Sequence, residues 1–143
     1  MYGGAFLLHA LQKYSPKAGL SRSSSPKMLS ACPALFSMAA GVNVAQHAEQ
    51  RGRAFELAVG AELLQQPGQV FYWRERNDEV DFVYQYRDAL YAVDVKSGRK
   101  KSTKGLAAFC AQSPQALRVV ISPENFAEFS SRPRDFLAQV GVR

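Results

Sequence analysis

Residues 70–96 constrain the fold most. They are dense in Val, Tyr, Phe and Trp, side chains that suit a pleated, half-buried surface, and they are interrupted at Asn77-Asp78 and Arg87-Asp88. The pattern predicts three antiparallel strands, 70–75, 79–86 and 89–96. A sheet needs a covering layer, and the flanking sequence offers one. Within 44–66, Ala48, Phe55, Val59 and Leu63 form one apolar helical stripe that Pro67-Gly68 brings to a stop. Residues 103–112 read as a further helix, 117–122 as a buried strand, and the chain from Pro123 onward as one or two short helices around Arg132 and Pro133. Helix, three strands, helix, strand, helix is the order of an α/β sandwich with a mixed sheet. There is no internal repeat.

The segment before this core has a different character. Phe6, Leu7, Leu8, Ala10 and Leu11 give 4–14 a helical pattern, 15–27 is a Ser/Pro/Lys-rich linker, and 28–41 reads as a short helix with Pro33 in its first turn and Gly41 at its end. Residues 1–43 are too few for a domain and are expected to be a helical and linker segment ahead of a domain over 44–143. A chain that opens directly on an amphipathic helix reads as the tail piece of a longer protein. Its apolar first 40 residues are a candidate interface, either for a homodimer or for docking on a preceding module.

Composition bounds the remaining classes. At 143 residues, 47% hydrophobic and 21% charged, the chain can bury one core and is neither disordered nor collagenous. Its longest apolar stretches, such as 31–42, fall short of the roughly 20 residues of a spanning helix, and its first residues lack the basic region, apolar core and cleavage site of a signal peptide. A cytoplasmic, non-membrane protein is expected. Cys32 and Cys110 lie far apart, so neither a disulfide framework nor a zinc site is written here, and both read as reduced packing residues.

The net charge of +6 is unevenly placed. Residues 1–48 hold Lys13, Lys17, Arg22 and Lys27 with no acid, while the remainder carries 14 basic against 12 acidic residues. The sharpest excess is Lys96, Arg99, Lys100, Lys101 and Lys104, without an intervening acid. Such a cluster can neutralise phosphates and release counterions, although a solvated loop has the same composition.

Chemistry concentrates on the second and third strands. Alternation places Asp81, Val83 and Gln85 on one face with Val80, Phe82, Tyr84 and Tyr86 on the other, and it gives Leu90, Ala92, Asp94 and Lys96 a common face. If the hairpin closes symmetrically around Arg87-Asp88, Tyr86 pairs with Ala89, Asp81 stands opposite Asp94, and Glu79 stands opposite Lys96; a one-residue bulge would displace this register. Facing carboxylates are destabilising unless something positive lies between them. A hard divalent cation, Mg²⁺ or Mn²⁺, meets that need and accepts a phosphate oxygen. Lys96, one pleat from Asp94, could orient a water and stabilise charge on the phosphate. The alternative is an exposed strand face on which the acids pair with Lys96 or an arginine. Glu56, beside the helical stripe and one turn before Gly60, could reach the same cation or pair with Arg53 or Arg51.

Weaker features complete the inventory. Tyr72 and Trp73 before Arg74 could stack a base or belong to the core, His9 and His47 are isolated, and Ser97 could bond a phosphate or end its strand. Lys101-Ser102-Thr103 lacks the glycine loop of a nucleotide-binding motif, so this chain does not bind ATP by that mechanism.

Helical Glu56, then Asp81, then Asp94-Val95-Lys96, followed by a helix and a strand, resembles the PD-(D/E)xK nuclease superfamily. Ser24-Ser25-Pro26-Lys27, Pro33-Ala34-Leu35, residues 52–56, Tyr72-Trp73-Arg74, Glu79-Val80-Asp81-Phe82 and Val93-Asp94-Val95-Lys96-Ser97 resemble, over almost the whole chain, the C-terminal uncharacterised domain of bacterial and archaeal AAA-type ATPases. The resemblance implies a three-layer restriction-endonuclease-like core, a central mixed sheet flanked by helices. It implies metal ligands Glu56, Asp81 and Asp94, with catalytic roles for Lys96, Asp81 and Asp94. Val80 stands where the superfamily's name has a proline. The function expected is Mg²⁺- or Mn²⁺-dependent hydrolysis of DNA, with Arg99, Lys100, Lys101 and Lys104 on the phosphate backbone and an ATPase module upstream. The alternative is a catalytically silent nuclease-fold module that binds nucleic acid or a protein partner for an ATPase.

Overall fold

The computed structural model describes residues 8–17, 24–30, 48–98 and 102–142. Their elements run β1 (Leu8–Lys13), β2 (Lys27–Ser30), α1 (Ala48–Leu64), β3 (Gln69–Glu75), β4 (Asp78–Tyr86), β5 (Ala89–Val95), α2 (Lys104–Gln112), β6 (Leu117–Ile121), α3 (Phe126–Ser131) and α4 (Pro133–Val140). Six strands form one sheet in the order β2-β1-β3-β4-β5-β6. It is mixed: β1 with β3 and β5 with β6 are parallel, and the other neighbours are antiparallel. This is the α/β class expected from the order of elements.

The centre of the sheet follows from two tight turns. Glu75 pairs with Asp78 and Tyr86 with Ala89, which leaves two-residue loops at Arg76-Asn77 and Arg87-Asp88. Arg76 and Arg87 both take φ 54°, the left-handed conformation that two-residue hairpins require at their first position. The first turn therefore lies one residue earlier than the sequence break suggested. Arg87 stacks on Tyr86, 5.1 Å from the ring centre, and Arg134 covers the same ring at 5.1 Å.

Helices cover both faces. One face packs Phe82, Tyr84, Tyr91, Val93 and Val95 with Val59 and Leu63 of α1, Phe129 of α3, and Phe136 and Leu137 of α4. The other packs Trp73, Val80, Val83, Leu90 and Ala92 with Leu106 and Phe109 of α2. Of the predicted helical stripe, Val59 and Leu63 are fully buried, Phe55 is half-buried and Ala48 is exposed. Gly60 sets the distance of α1 from the sheet, because a Cβ there would lie 2.6 Å from Leu29 Cδ2 and 2.8 Å from the Phe82 ring.

The N-terminal reading needs correction. Residues 8–13 form a strand rather than part of a helix, because Leu11 alone of the apolar set there is buried while Leu8 and Ala10 face outward. Residues 27–30 form a second strand where linker and helix were expected, pairing Leu11 with Lys27 and Leu8 with Ser30. The rest of the 28–41 reading, with Pro33 and Gly41, lies outside the described residues.

β4 also departs from simple alternation. Phe71 pairs with Val83 but Trp73 with Val80, so Tyr72 alone stands against Asp81 and Phe82. This one-residue bulge turns Val80 to the side of Val83 instead of the side of Phe82. Asp81 therefore does not share a face with Val83 and Gln85 in the expected way. Glu79 is carried to Arg74, with which it pairs, and not to Lys96.

Candidate functional site

The site grows from that bulge. β4 and β5 keep the predicted hairpin register from Tyr86 and Ala89 down to Phe82 and Val93, where the paired ladder ends, and Asp81 and Asp94 are the next residue on each strand. There the Asp81 carboxylate reaches along the sheet, and its Oδ2 accepts the Val95 N–H at 2.8 Å. Bulges re-aim side chains in this manner beside many sites. Asp81 is 8% exposed and Asp94 9%, and their carboxyl groups hydrogen-bond each other. Two carboxyls can do that only by sharing a proton. Burial first, and the bond and charge of Asp94 next, push Asp81 up to about 7, against the opposing pull of the Val95 N–H and of the Lys27 ammonium.

Lys96 continues from β5, where its N–H donates to the Ile121 carbonyl at 2.8 Å. Its ammonium lies 4.0 Å from Asp94 Oδ2. The structure thus brings Asp81, Asp94 and Lys96 together at the end of the two central strands.

Glu56 sits differently. Its Oε1 accepts from Lys27 Nζ at 2.9 Å, an ion pair that is partly exposed on both sides. Lys27 belongs to β2, and the stretch before it is tied down where the Tyr72 hydroxyl donates to the Ser25 carbonyl at 2.7 Å. Of the two arginines considered as partners of Glu56, Arg53 lies 3.7 Å from Glu49. Among the described residues no group of three His, Cys, Asp or Glu side chains is close enough to share a metal ion. The fit to a divalent cation therefore rests on the Asp81–Asp94 pair, two buried oxygen donors whose mutual repulsion a hard cation would relieve.

The family described as Domain of unknown function (DUF4143) matches residues 51–134. The chain belongs to this family. No curated protein and no solved structure matches it. The DUF4143 match begins inside α1 and ends inside α4, so it takes in Glu56, Asp81, Asp94 and Lys96 and leaves Lys27 before its start.

Two grooves flank the Lys27–Glu56 pair. One, about 250 Å³, is lined by Ser25, Lys27, Tyr72, Arg74 and Asp81 among others. The second, about 740 Å³, runs between the first turns of α1 and Ser97-Gly98, with Arg51, Arg53 and Glu56 on its wall. Of the predicted phosphate contacts, Arg99, Lys100 and Lys101 lie outside the described residues. Lys104 opens α2, exposed, with Nζ 3.3 Å from Asp78. Trp73 is core, edge-on to Phe109 at 5.4 Å, and so does not stack a base. His9 lies in β1, His47 outside the described residues. Burial pushes the Cys110 thiol up, which suits a packing residue; Cys32 is not among the described residues.

Sequence reasoning missed Lys27 as a site residue. Its signal was weak: one cation after Pro26 in a stretch that reads as a linker, 29 positions from the glutamate it meets.

Proposed function

We propose that the domain is a metal-dependent phosphodiester hydrolase acting on DNA, of the PD-(D/E)xK type with a restriction-endonuclease-like core, working with an ATPase module. The observation that carries this reading is the Asp81–Asp94 carboxyl pair with Lys96 beside it at 4.0 Å from Asp94. Asp81 and Asp94 would hold the cation, Mg²⁺ or Mn²⁺, with Glu56 as the further candidate ligand. The ion supplies charge compensation on the scissile phosphate and lowers the pKa of water.

The chain's own residues account for the rest. Val95 N–H fixes one Asp81 oxygen, so the pair keeps its geometry when its proton leaves. Lys96 orients a water and donates to a phosphate oxygen as negative charge builds up. The water oxygen forms the new bond to phosphorus as it gives up a proton to solvent, one P–O ester bond breaks, and the departing oxygen takes a proton from solvent. Arg51 and Arg53 on the larger groove, with Lys104, and with Arg99, Lys100 and Lys101 in the same basic stretch, supply the cations that a phosphate backbone needs.

Cleavage of plasmid and of single-stranded DNA in Mg²⁺ or Mn²⁺ tests the proposal. Asp94→Asn should lower the rate by about 10²-fold or more while DNA binding persists. Full activity in that variant removes Asp94 from the mechanism. One observation favours a second reading, a silent nuclease-fold module that binds nucleic acid: the third carboxylate is engaged by Lys27. That reading expects DNA binding with no cleavage in any divalent cation.

A further inference from the structure

We propose that Lys27 is a positioning residue that keeps Glu56 from the Asp81–Asp94 pair, so that release of Glu56 by Lys27 sets how tightly the site takes a divalent cation. The inference rests on the reading above, that the carboxyl pair holds such a cation. It goes beyond it by assigning a role to a residue of a different strand.

Three observations support it. Lys27 Nζ is 2.9 Å from Glu56 Oε1, and the same ammonium acts electrostatically on Asp81, so one positive charge serves both parts of the site. Its neighbours hold it in place: Lys27 pairs with Leu11 in the β1–β2 ladder, Ser25 is held by Tyr72, and the Lys27 ammonium sits 6.0 Å from the centre of the Phe82 ring. Finally, Glu56 does not join the two aspartates in a three-carboxylate group.

An ammonium donates and cannot ligate a cation. While it holds Glu56, the site presents two carboxylates and keeps a positive charge near an arriving dication. Once it lets go, Glu56 is a flexible carboxylate on the neighbouring helix, free to become a third oxygen ligand. Lys27 is thus an internal counter-ion that the dication must displace. A lysine that merely anchors β2 to α1 would change thermal stability without changing cation affinity.

Calorimetric titration of the full chain with Mn²⁺ separates these cases, with Asp81→Asn as the control for site-specific heat. Lys27→Met should bind about tenfold more tightly than wild type, within the range over which partners of metal ligands shift affinity. Adding Glu56→Gln should take that gain away, whereas Glu56→Gln alone should change wild-type affinity by less. Lys27→Arg, which keeps the charge, should titrate like wild type. Wild-type heat that Asp81→Asn abolishes, together with equal or weaker binding by Lys27→Met, overturns the role of Lys27 and leaves the cation site standing. Absence of Asp81-dependent heat in both proteins overturns the cation site and the role of Lys27 together. If Lys27→Met gives no cooperative melt, Lys27→Gln takes its place under the same criteria.

Discussion

Two pairs of ionisable side chains occupy one end of the sheet, and they handle charge in opposite ways. Asp81 and Asp94 put two like groups together where water is largely excluded, and they are reconciled by a shared proton. Lys27 and Glu56 put opposite charges 2.9 Å apart where water still reaches both. The first arrangement is unfavourable unless something is added to it, and the second is complete as it stands. A strained group persists when the surrounding structure over-determines it, and here a backbone N–H and a bulge in a central strand do so. That difference is the ground on which the carboxyl pair is proposed as the place for a cation and the ion pair as what tunes it.

The largest expected effect tests the strained member. The folded pKa of Asp81 is raised, from an ordinary 3.8 to about 7, so the folded chain holds a proton that the unfolded chain has released. That contribution is fully present below about pH 4 and is lost as pH rises through about 7. Within this window it changes stability by up to about 1.4 kcal/mol per pH unit. Metal-free protein should therefore melt at a higher temperature at pH 5 than at pH 8, and Asp81→Asn should remove that difference. A parallel pH profile in wild type and Asp81→Asn would mean that the two carboxyls do not share a proton.

Next in size is a substitution that separates the two pairs. Asp81 and Asp94 ride on strands alone, whereas Glu56 is delivered by α1, whose approach depends on Gly60. Gly60→Val must push against Leu29 and the Phe82 ring and should cost about 1–3 kcal/mol, as overpacking of a core does. Denaturant melts read this directly. The pH profile should keep its Asp81 component, because nothing in that pair is carried by the helix. Loss of both together would show that the helix also fixes the carboxyl pair.

How much of this was legible in the sequence divides along the same line. The β4–β5 hairpin was readable because its turn holds an even number of residues and its strands alternate, a register that holds from Tyr86 and Ala89 to Phe82 and Val93 and leaves Asp81 and Asp94 as the next residue on each strand. The bulge was not readable. Val80 and Phe82 are both apolar and fit a regular strand, and only the need of the α2 face for Val80 beside Trp73 and Val83 reveals the extra residue. β1 was misread because Leu8 and Ala10, apolar but facing outward, complete a helical periodicity with Leu11. Lys27 was hidden for a topological reason. Its strand pairs with β1, and its partner Glu56 lies on a helix that follows much later, so no local spacing connects them.

Lys27→Met in metal-free protein gives a smaller effect. It leaves Glu56 half-buried without its cation, and since both groups remain partly solvated the cost should be about 1 kcal/mol, well under that of a fully buried pair. A two-state denaturant series measures it. A cost of several kcal/mol would mean that the pair is a structural anchor of β2.

The smallest effect belongs to Arg74 and Glu79, which sharpen the meaning of the Lys27–Glu56 distance. Arg74 Nη2 lies 2.8 Å from Glu79 Oε2, as short as the Lys27–Glu56 contact, but the side chains are 64% and 59% exposed. Exposed ion pairs contribute little because water screens them and long side chains must be ordered to make them. Arg74→Ala should shift stability by less than about 0.5 kcal/mol, and it should leave the Asp81 pH profile unchanged. Equal costs for Arg74→Ala and Lys27→Met would remove the distinction between a surface pair and a site pair. A clear gap, with the Lys27 variant the less stable, places the weight on what Lys27 faces: a second carboxylate, Asp81, on which its ammonium acts.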